Sequence, residues 1–128
     1  MKLLLDTHIW IWILQSPERL GARTTIELHK ETNDLWLSPV STWEALLLHR
    51  KRRIDLGPDL VSWSKRSILG FQTAPLTHEI VFAAELLDLH QDPADRFLAA
   101  TAQVLDLTLV TADQKLLGLG TIRTLGNR

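Results

Sequence analysis

The sequence predicts an α/β fold in which a parallel sheet of about four to five short strands is covered by helices on both faces. Short apolar runs such as residues 3–5 and 107–110 lack the polar alternation of half-exposed strands, which is typical of strands buried on both sides. Helical patterns separate these runs, and strands that alternate with helices form parallel βαβ units. The chain of 128 residues matches the common size of one domain, expected over 1–128.

Local signals place the elements of the first half. Pro17 ends the first helix, Ser38-Pro39 suits the start of the third, and Gly70 stops the fourth. In the second helix, Ile26 and Leu28 are expected to face the core. The predicted elements are a strand over 2–5, helices over 7–14 and 22–31, a strand over 35–37, and helices over 39–53 and 59–69.

The second half is predicted in the same way. Thr77 is a good cap for a helix with apolar residues at the i, i+3, i+4, i+7 spacing of one buried face. Asp92 and Pro93 suit the cap and first position of the next helix. These two helices lie between a short strand over 71–74 and a strand over 107–110, and a helix over 114–117 and an edge strand over 121–125 follow.

Composition and charge exclude several classes of protein. The chain is 45% hydrophobic and 23% charged, which is typical of globular domains rather than disordered or collagen-like chains. It has no cysteine, which excludes a disulfide scaffold and a thiolate site and favours a cytoplasmic protein. No apolar run approaches the roughly 20 residues of a membrane span, so neither a span nor a signal peptide is expected. The net charge of −1 leaves any nucleic-acid contact to local clusters.

Four carboxylates stand where strands end or helices begin, and each also has a structural explanation. Asp6 and Asp113 directly follow predicted strands, and aspartate is a preferred helix cap. Glu44 fits a capping-box pattern. If its helix starts at Ser38, however, Glu44 lies on an apolar face where an unpaired carboxylate is costly. Asp95 falls in a first helical turn, where the helix dipole favours an acid.

Together the four acids are expected to meet at one edge of the sheet. In a βαβ unit the helix N-termini lie beside the carboxyl ends of the strands, where ligands bind in open α/β sheets. Two carboxylates about 5 Å apart repel each other by about 3 kcal/mol at an effective dielectric constant of about 20. Such a cluster favours a divalent cation, and oxygen ligands without cysteine favour Mg²⁺ or Mn²⁺ over zinc. Two such ions can stabilise the attacking and leaving oxygens of a phosphodiester.

The motifs around these acids also carry a family resemblance. They are Leu4-Leu5-Asp6-Thr7, Ser38-x-x-Ser41-x-x-Glu44, Asp92-Pro93-x-Asp95-Arg96 and Leu109-Val110-Thr111-x-Asp113. In this order and spacing they resemble the four acidic motifs of PIN-domain ribonucleases, and the third motif is most similar to the VapC toxins of bacterial toxin–antitoxin pairs. The resemblance implies a three-layer α/β/α fold, Mg²⁺- or Mn²⁺-dependent cleavage of RNA, a homodimer, and inhibition by a cognate VapB-like antitoxin.

The resemblance also implies roles for individual residues. The four acids Asp6, Glu44, Asp95 and Asp113 would hold metal and activate the attacking water, and Thr111 would hydrogen-bond the acidic cluster. Asp92 is either an accessory to the metal site or a helix cap, and we favour the cap.

RNA binding requires cations despite the negative net charge. Arg96 stands beside Asp95 in the sequence and is a candidate phosphate contact. Arg50 and Lys51 belong to the densest basic cluster, which either binds RNA or forms a solvated helix end. The tryptophans Trp36, Trp43 and Trp63 are expected in the core rather than stacked on unpaired bases.

One alternative belongs to another class of protein. A regulatory receiver-like domain also gathers acids at strand ends, but it normally has paired acids after its first strand, and only Asp6 occupies that place here. A PIN-like chain that has lost its activity and only binds partners is the other form of this alternative.

Overall fold

A computed structural model describes all 128 residues and shows strands alternating with helices, as predicted. The strands are β1 (Lys2–Leu5), β2 (Asp34–Leu37), β3 (Gln72–Thr73), β4 (Thr108–Thr111) and β5 (Arg123–Gly126). The helices are α1 (Thr7–Gln15), α2 (Ala22–His29), α3 (Pro39–Arg50), α4 (Leu60–Ser67), α5 (His78–Leu86), α6 (Pro93–Val104) and α7 (Gln114–Leu117). A 3-10 turn at Pro17–Arg19, which the sequence reasoning did not predict, joins α1 to α2.

The five strands form one parallel sheet in the order β3-β2-β1-β4-β5. The central strand β1 places Leu3 opposite Leu35 of β2 and Thr108 of β4. Its leucines are fully buried, and successive side chains point to opposite faces of the sheet. Leu4 packs into a core that includes α5 and α6, whereas Leu3 and Leu5 pack into a core that includes α1 and α4. The predicted three-layer α/β/α architecture is therefore confirmed.

Side-chain caps fix the starts of the helices that lead away from the sheet. Asp6 caps α1, Ser38 caps α3, and Asp92 caps α6, each by accepting backbone N–H hydrogen bonds. Proline follows the cap in α3 and α6, where its missing N–H costs nothing. These caps bring three helix N-termini to the edge of the sheet where the strands end.

Several predicted details differ from the structure. Ile26 is 58% exposed, because α2 buries Thr24 and Leu28 instead. Helix α3 ends at Arg50 rather than at residue 53, since Arg52 adopts a left-handed conformation with φ of 60° that a helix cannot continue. Of the three tryptophans expected in the core, Trp63 is buried, but Trp43 is 54% exposed.

The longest helices have 12 residues, and none combines the length and apolar character that crossing a bilayer requires.

Candidate functional site

The four acids predicted to meet, together with Asp92, line one pocket at the carboxyl edge of the sheet. The pocket has a volume of about 320 Å³. Its lining is completed by His8, Trp12 and Ala112. Asp6 and Asp113 reach it from the ends of β1 and β4, while Glu44, Asp92 and Asp95 reach it from the first halves or caps of α3 and α6. The topology of the sheet thus gathers residues that lie more than a hundred positions apart in the sequence.

Asp6 is the most deeply buried of these acids, with 6% of its surface exposed. Its Oδ1 accepts a hydrogen bond from the Thr7 N–H at 2.8 Å, and its Oδ2 accepts one from the Thr111 hydroxyl at 2.6 Å. Burial raises the pKa of Asp6, and the hydrogen bonds from Thr111 and Thr7 only partly offset that rise. Asp6 therefore serves both as a helix cap and as a carboxylate at the base of the pocket.

Thr111, the last residue of β4, joins two of the acids. While its hydroxyl donates to Asp6, its Oγ1 accepts the N–H of Asp113 at 3.0 Å. Asp113 in turn caps α7 by accepting the N–H of Lys115 at 2.8 Å. Thr111 itself is fully buried, so this chain of hydrogen bonds holds the ends of β1 and β4 in a fixed relation.

Glu44 reaches the pocket from the second turn of α3. The Thr7 hydroxyl, which lies close to the Glu44 carboxylate, donates a hydrogen bond to the Ser41 hydroxyl at 2.9 Å. Burial raises the pKa of Glu44 most strongly, and the negative charges of Asp6 and Asp92 add to the rise. A capping-box role is excluded because α3 begins at Pro39, with Ser38 as its cap.

Asp95 lies in the first turn of α6, where a histidine contacts its carboxylate. Its Oδ2 is 2.7 Å from Nε2 of His90. Burial, with smaller contributions from the negative charges of Asp92 and Asp6, raises the pKa of Asp95 to about 6 against the opposing effect of His90. Asp92 caps α6 through the N–H groups of Ala94 and Asp95, as we favoured, and it also lines the pocket.

The tightest group of potential metal-ligating atoms includes a residue that the sequence reasoning missed. Ligand atoms of His90, Asp92 and Asp95 all lie within 4.8 Å of one another. His90 does not line the pocket; it contacts Asp95 from behind, and its other ring nitrogen is buried without a partner. The available signal was a histidine two residues before the Asp92-Pro93 cap, in the loop that must fold back onto α6.

The cations predicted from the sequence to contact RNA do not line the acidic pocket. The Arg96 guanidinium donates hydrogen bonds to five backbone carbonyls between Ala84 and His90, at distances from 2.6 to 3.4 Å. It thereby ties the loop before α6 to the end of α5 instead of facing the pocket. Arg50 and Lys51 lie at the far end of α3, about 9 Å along the helix axis from Glu44 at 1.5 Å per residue. The structure thus offers no support for phosphate contacts by these three residues at the pocket.

The donor set fits a hard divalent cation. The pocket presents five carboxylates and only one imidazole, and the chain contains no thiol. Burial makes Asp6, Glu44 and Asp95 harder to ionise, and the negative charges of neighbouring acids add to this effect. A cation between them would restore the ionised forms. The arrangement is therefore able to hold metal and to place it against a phosphate group.

Several known proteins are similar to this chain in sequence or fold. The PIN domain family model matches residues 3–120. Ribonuclease VapC22 of Mycobacterium tuberculosis is 30% identical over 115 residues, which make up 88% of each protein. A chain of VapBC2 from Rickettsia felis, solved bound to a DNA fragment from its promoter, superposes with a TM-score of 0.73 at 17% identity and covers 98% of both chains. A chain of DNA-bound VapBC from Salmonella typhimurium gives a TM-score of 0.71 at 17% identity, with 100% and 99% coverage.

Proposed function

This chain belongs to the PIN-domain family, and from that premise we propose that it is a metal-dependent endoribonuclease and the toxin of a type II toxin–antitoxin pair. One observation carries the proposal: the carboxylates Asp6, Glu44, Asp95 and Asp113 line a single pocket at the carboxyl edge of the parallel sheet. The relative VapC22 is named a ribonuclease, and the family match sets aside the receiver-like alternative.

The cofactor in this proposal is Mg²⁺ or Mn²⁺, held by the four acids. When bound, the cation supplies neutralisation of the phosphate charge and activation of the attacking water. Asp6 and Asp113 would bind from the strand ends, and Glu44 and Asp95 from the opposing helices. Oxygen ligands alone do not distinguish Mg²⁺ from Mn²⁺.

The other residues of the site act by positioning these carboxylates. Thr111 holds Oδ2 of Asp6, so the carboxylate plane is fixed before any ligand arrives. His90 holds Oδ2 of Asp95, and Oδ1 of the same carboxylate accepts no hydrogen bond within the protein. A carboxylate oxygen that stays unprotonated near neutral pH is also able to accept the proton of the attacking water, and the cation would keep these acids in that form.

The partners in the proposal are an RNA substrate, a cognate VapB-like antitoxin and a second copy of the chain. The two structural relatives are VapBC proteins bound to DNA. Apolar surface for protein contacts is present on α5, where Phe82 and Leu86 are 74% and 85% exposed. An RNA-cleaving toxin would act in the cytoplasm, where its substrate lies.

The decisive test of the enzyme is RNA cleavage with and without a chelator. We expect the wild-type protein to cut single-stranded RNA when Mn²⁺ or Mg²⁺ is present, and we expect Asp6→Asn to abolish cleavage. Asp34→Asn is the matched control, because Asp34 is exposed on β2 and makes no side-chain hydrogen bond. Cleavage that survives both chelation and Asp6→Asn would show that this pocket is not the active site. If the wild-type protein binds metal but does not cleave RNA, the chain is an inactive PIN-like binding domain.

The toxin part of the proposal has its own test. Induced expression of the wild-type chain should arrest growth, and co-expression of the neighbouring small gene should restore it. The Asp6→Asn chain should be harmless when expressed to the same level. Harmless expression of a protein that cuts RNA in vitro would instead indicate housekeeping RNA processing.

A further inference from the structure

A second cleft adjoins the acidic pocket and has the opposite electrostatic character. It has a volume of about 550 Å³ and lies between α2, the start of α7 and the end of β5. Ala112 lines both cavities, so the second cleft opens beside the carboxylates. The side chains of Arg23, Gln114, Asn127 and Arg128 line this cleft, which we call the basic cleft.

The arginines of the basic cleft have no protein partner for their charge. Arg23 and Arg128 form no ion pair, and their guanidinium groups make no hydrogen bond. Glu27 is the one side-chain carboxylate in the lining, and it is already engaged by Lys30 at 2.6 Å and by Asn33 at 2.9 Å. The guanidinium groups of Arg23 and Arg128 therefore remain available to an anionic ligand in a chain whose overall charge is −1.

A third arginine extends this charge toward the acidic pocket. The Arg19 guanidinium lies 5.8 Å above the ring of Trp12, and Trp12 lines the acidic pocket. Asn127 fixes the turn that carries Arg19, because its side chain donates to the Arg19 carbonyl at 2.9 Å and accepts the Gly21 N–H at 2.8 Å. Arg19, Arg23 and Arg128 thus form a basic edge along one side of the carboxylates.

We propose that this basic edge binds the phosphates of the RNA strand that flank the phosphodiester bond to be cut. The inference rests on the proposed ribonuclease function and identifies the path of the substrate. An acidic pocket repels a polyanion, so a nuclease of this kind needs fixed cations beside the pocket to hold the flanking phosphates. Arginine forms paired hydrogen bonds with phosphate oxygens, and the side-chain amide of Gln114 adds a further donor. Such contacts favour RNA without selecting its sequence.

The test compares two double variants that each remove two positive charges. Arg19→Gln/Arg23→Gln alters the basic edge, and Arg50→Gln/Lys51→Gln alters the basic cluster at the far end of α3. Both are made in the Asp6→Asn background, and binding of short single-stranded RNA is measured by fluorescence anisotropy in EDTA at several salt concentrations. Thermal unfolding checks that each variant is folded, and Arg19→Lys/Arg23→Lys tests whether charge restores binding.

We expect the Arg19/Arg23 variant to bind RNA more weakly for every sequence tried. Its log affinity should depend less steeply on log salt, with the magnitude of the slope reduced by about 1.4, because each phosphate contact on a single strand contributes about 0.7. The Arg50/Lys51 variant should keep the slope of its parent. In the cleaving protein, Arg19→Gln/Arg23→Gln should raise KM more than it lowers kcat, since flanking contacts are made equally in the ground and transition states.

Three results would overturn this inference. Equal losses in both double variants would mean that only net charge matters, and a loss confined to the Arg50/Lys51 variant would place RNA at the other end of α3. An unchanged salt slope in the Arg19/Arg23 variant would remove the basic edge from the interface. Wild-type protein that binds RNA through these arginines but never cuts it would instead contradict the proposed ribonuclease function, so the two failures are distinguishable.

Discussion

Replacing Asp95 by asparagine should stabilise the metal-free protein at neutral pH while abolishing its activity. The Asp95 side chain is only 14% exposed, and burial raises its pKa from 3.8 to about 6. This rise in pKa makes ionised Asp95 cost the folded state about 3 kcal/mol, at 1.36 kcal/mol per pKa unit. Asparagine removes this penalty but weakens the bond to His90, at a cost of about 1–2 kcal/mol. The expected net gain is about 1–2 kcal/mol.

The pH dependence of this gain follows from linkage. Asp95 binds its proton more tightly in the folded than in the unfolded state, so its protonation stabilises the fold. That stabilisation is complete below about pH 4 and is lost as the pH rises through about 6. The benefit of Asp95→Asn should therefore be present at pH 7, shrink as the pH falls through 6 and vanish near pH 4.

Thermal unfolding in EDTA measures this effect directly. At about 2.1 cal/mol/K of unfolding entropy per residue, 1 kcal/mol shifts the Tm of a chain this size by about 4 °C, so a rise of about 4–8 °C is expected at pH 7. Asp34→Asn makes the same chemical change at an exposed site and should leave the Tm within about 2 °C. An unchanged Tm at pH 7, or a rise that persists at pH 4, would refute the assignment of a destabilising charge to Asp95.

Three further predictions concern the metal and the residues that position it. Mn²⁺ at about 100 times its dissociation constant should stabilise the wild-type protein by about 2.7 kcal/mol, and Asp6→Asn should lose this gain in a thermal shift assay. His90→Ala should weaken Mn²⁺ binding by about 10- to 100-fold in calorimetric titration, with His90→Gln retaining a donor and His78→Ala as the exposed control. Thr111→Val should cost roughly 1–3 kcal/mol in urea unfolding, because it removes the hydroxyl that joins Asp6 to the Asp113 N–H, and an unchanged midpoint would contradict that role.

The sequence predicted the parts of this fold that local chemistry determines. Residues 3–5 were predicted as a buried strand because three leucines leave no polar face, and the structure buries them completely at the centre of the sheet. The caps at Ser38 and Asp92 each precede a proline, so neighbouring residues alone predicted where α3 and α6 begin. Once these starts are known, the antiparallel course of helix and strand brings the acids together without any knowledge of loops.

Contacts between distant residues set the features that the sequence did not reveal. Thr24 is buried in α2, in place of the expected Ile26, because its hydroxyl accepts the N–H of Arg128 and its own N–H donates to the Arg128 carbonyl. Arg96 was a plausible phosphate ligand by sequence, but its guanidinium meets carbonyls freed at the end of α5. In both cases the partner lies too far along the chain, or depends too much on the path of a loop, for a local pattern to indicate it.

The burial that makes the sheet stable also makes its acids responsive to metal. Asp6 directly follows the three buried leucines of strand β1, so exposing its carboxylate to water would uncover the centre of the core. The hydrogen bonds from Thr111 and Thr7 compensate only in part for the cost of burying the negative charge, so the pKa of Asp6 stays raised. Each carboxylate whose ionised form is disfavoured by burial stands to gain more from a nearby cation. Neutral replacement of Asp6, Glu44 or Asp95 should therefore raise metal-free stability and lower metal affinity together, whereas a purely structural acidic cap would lose stability when neutralised.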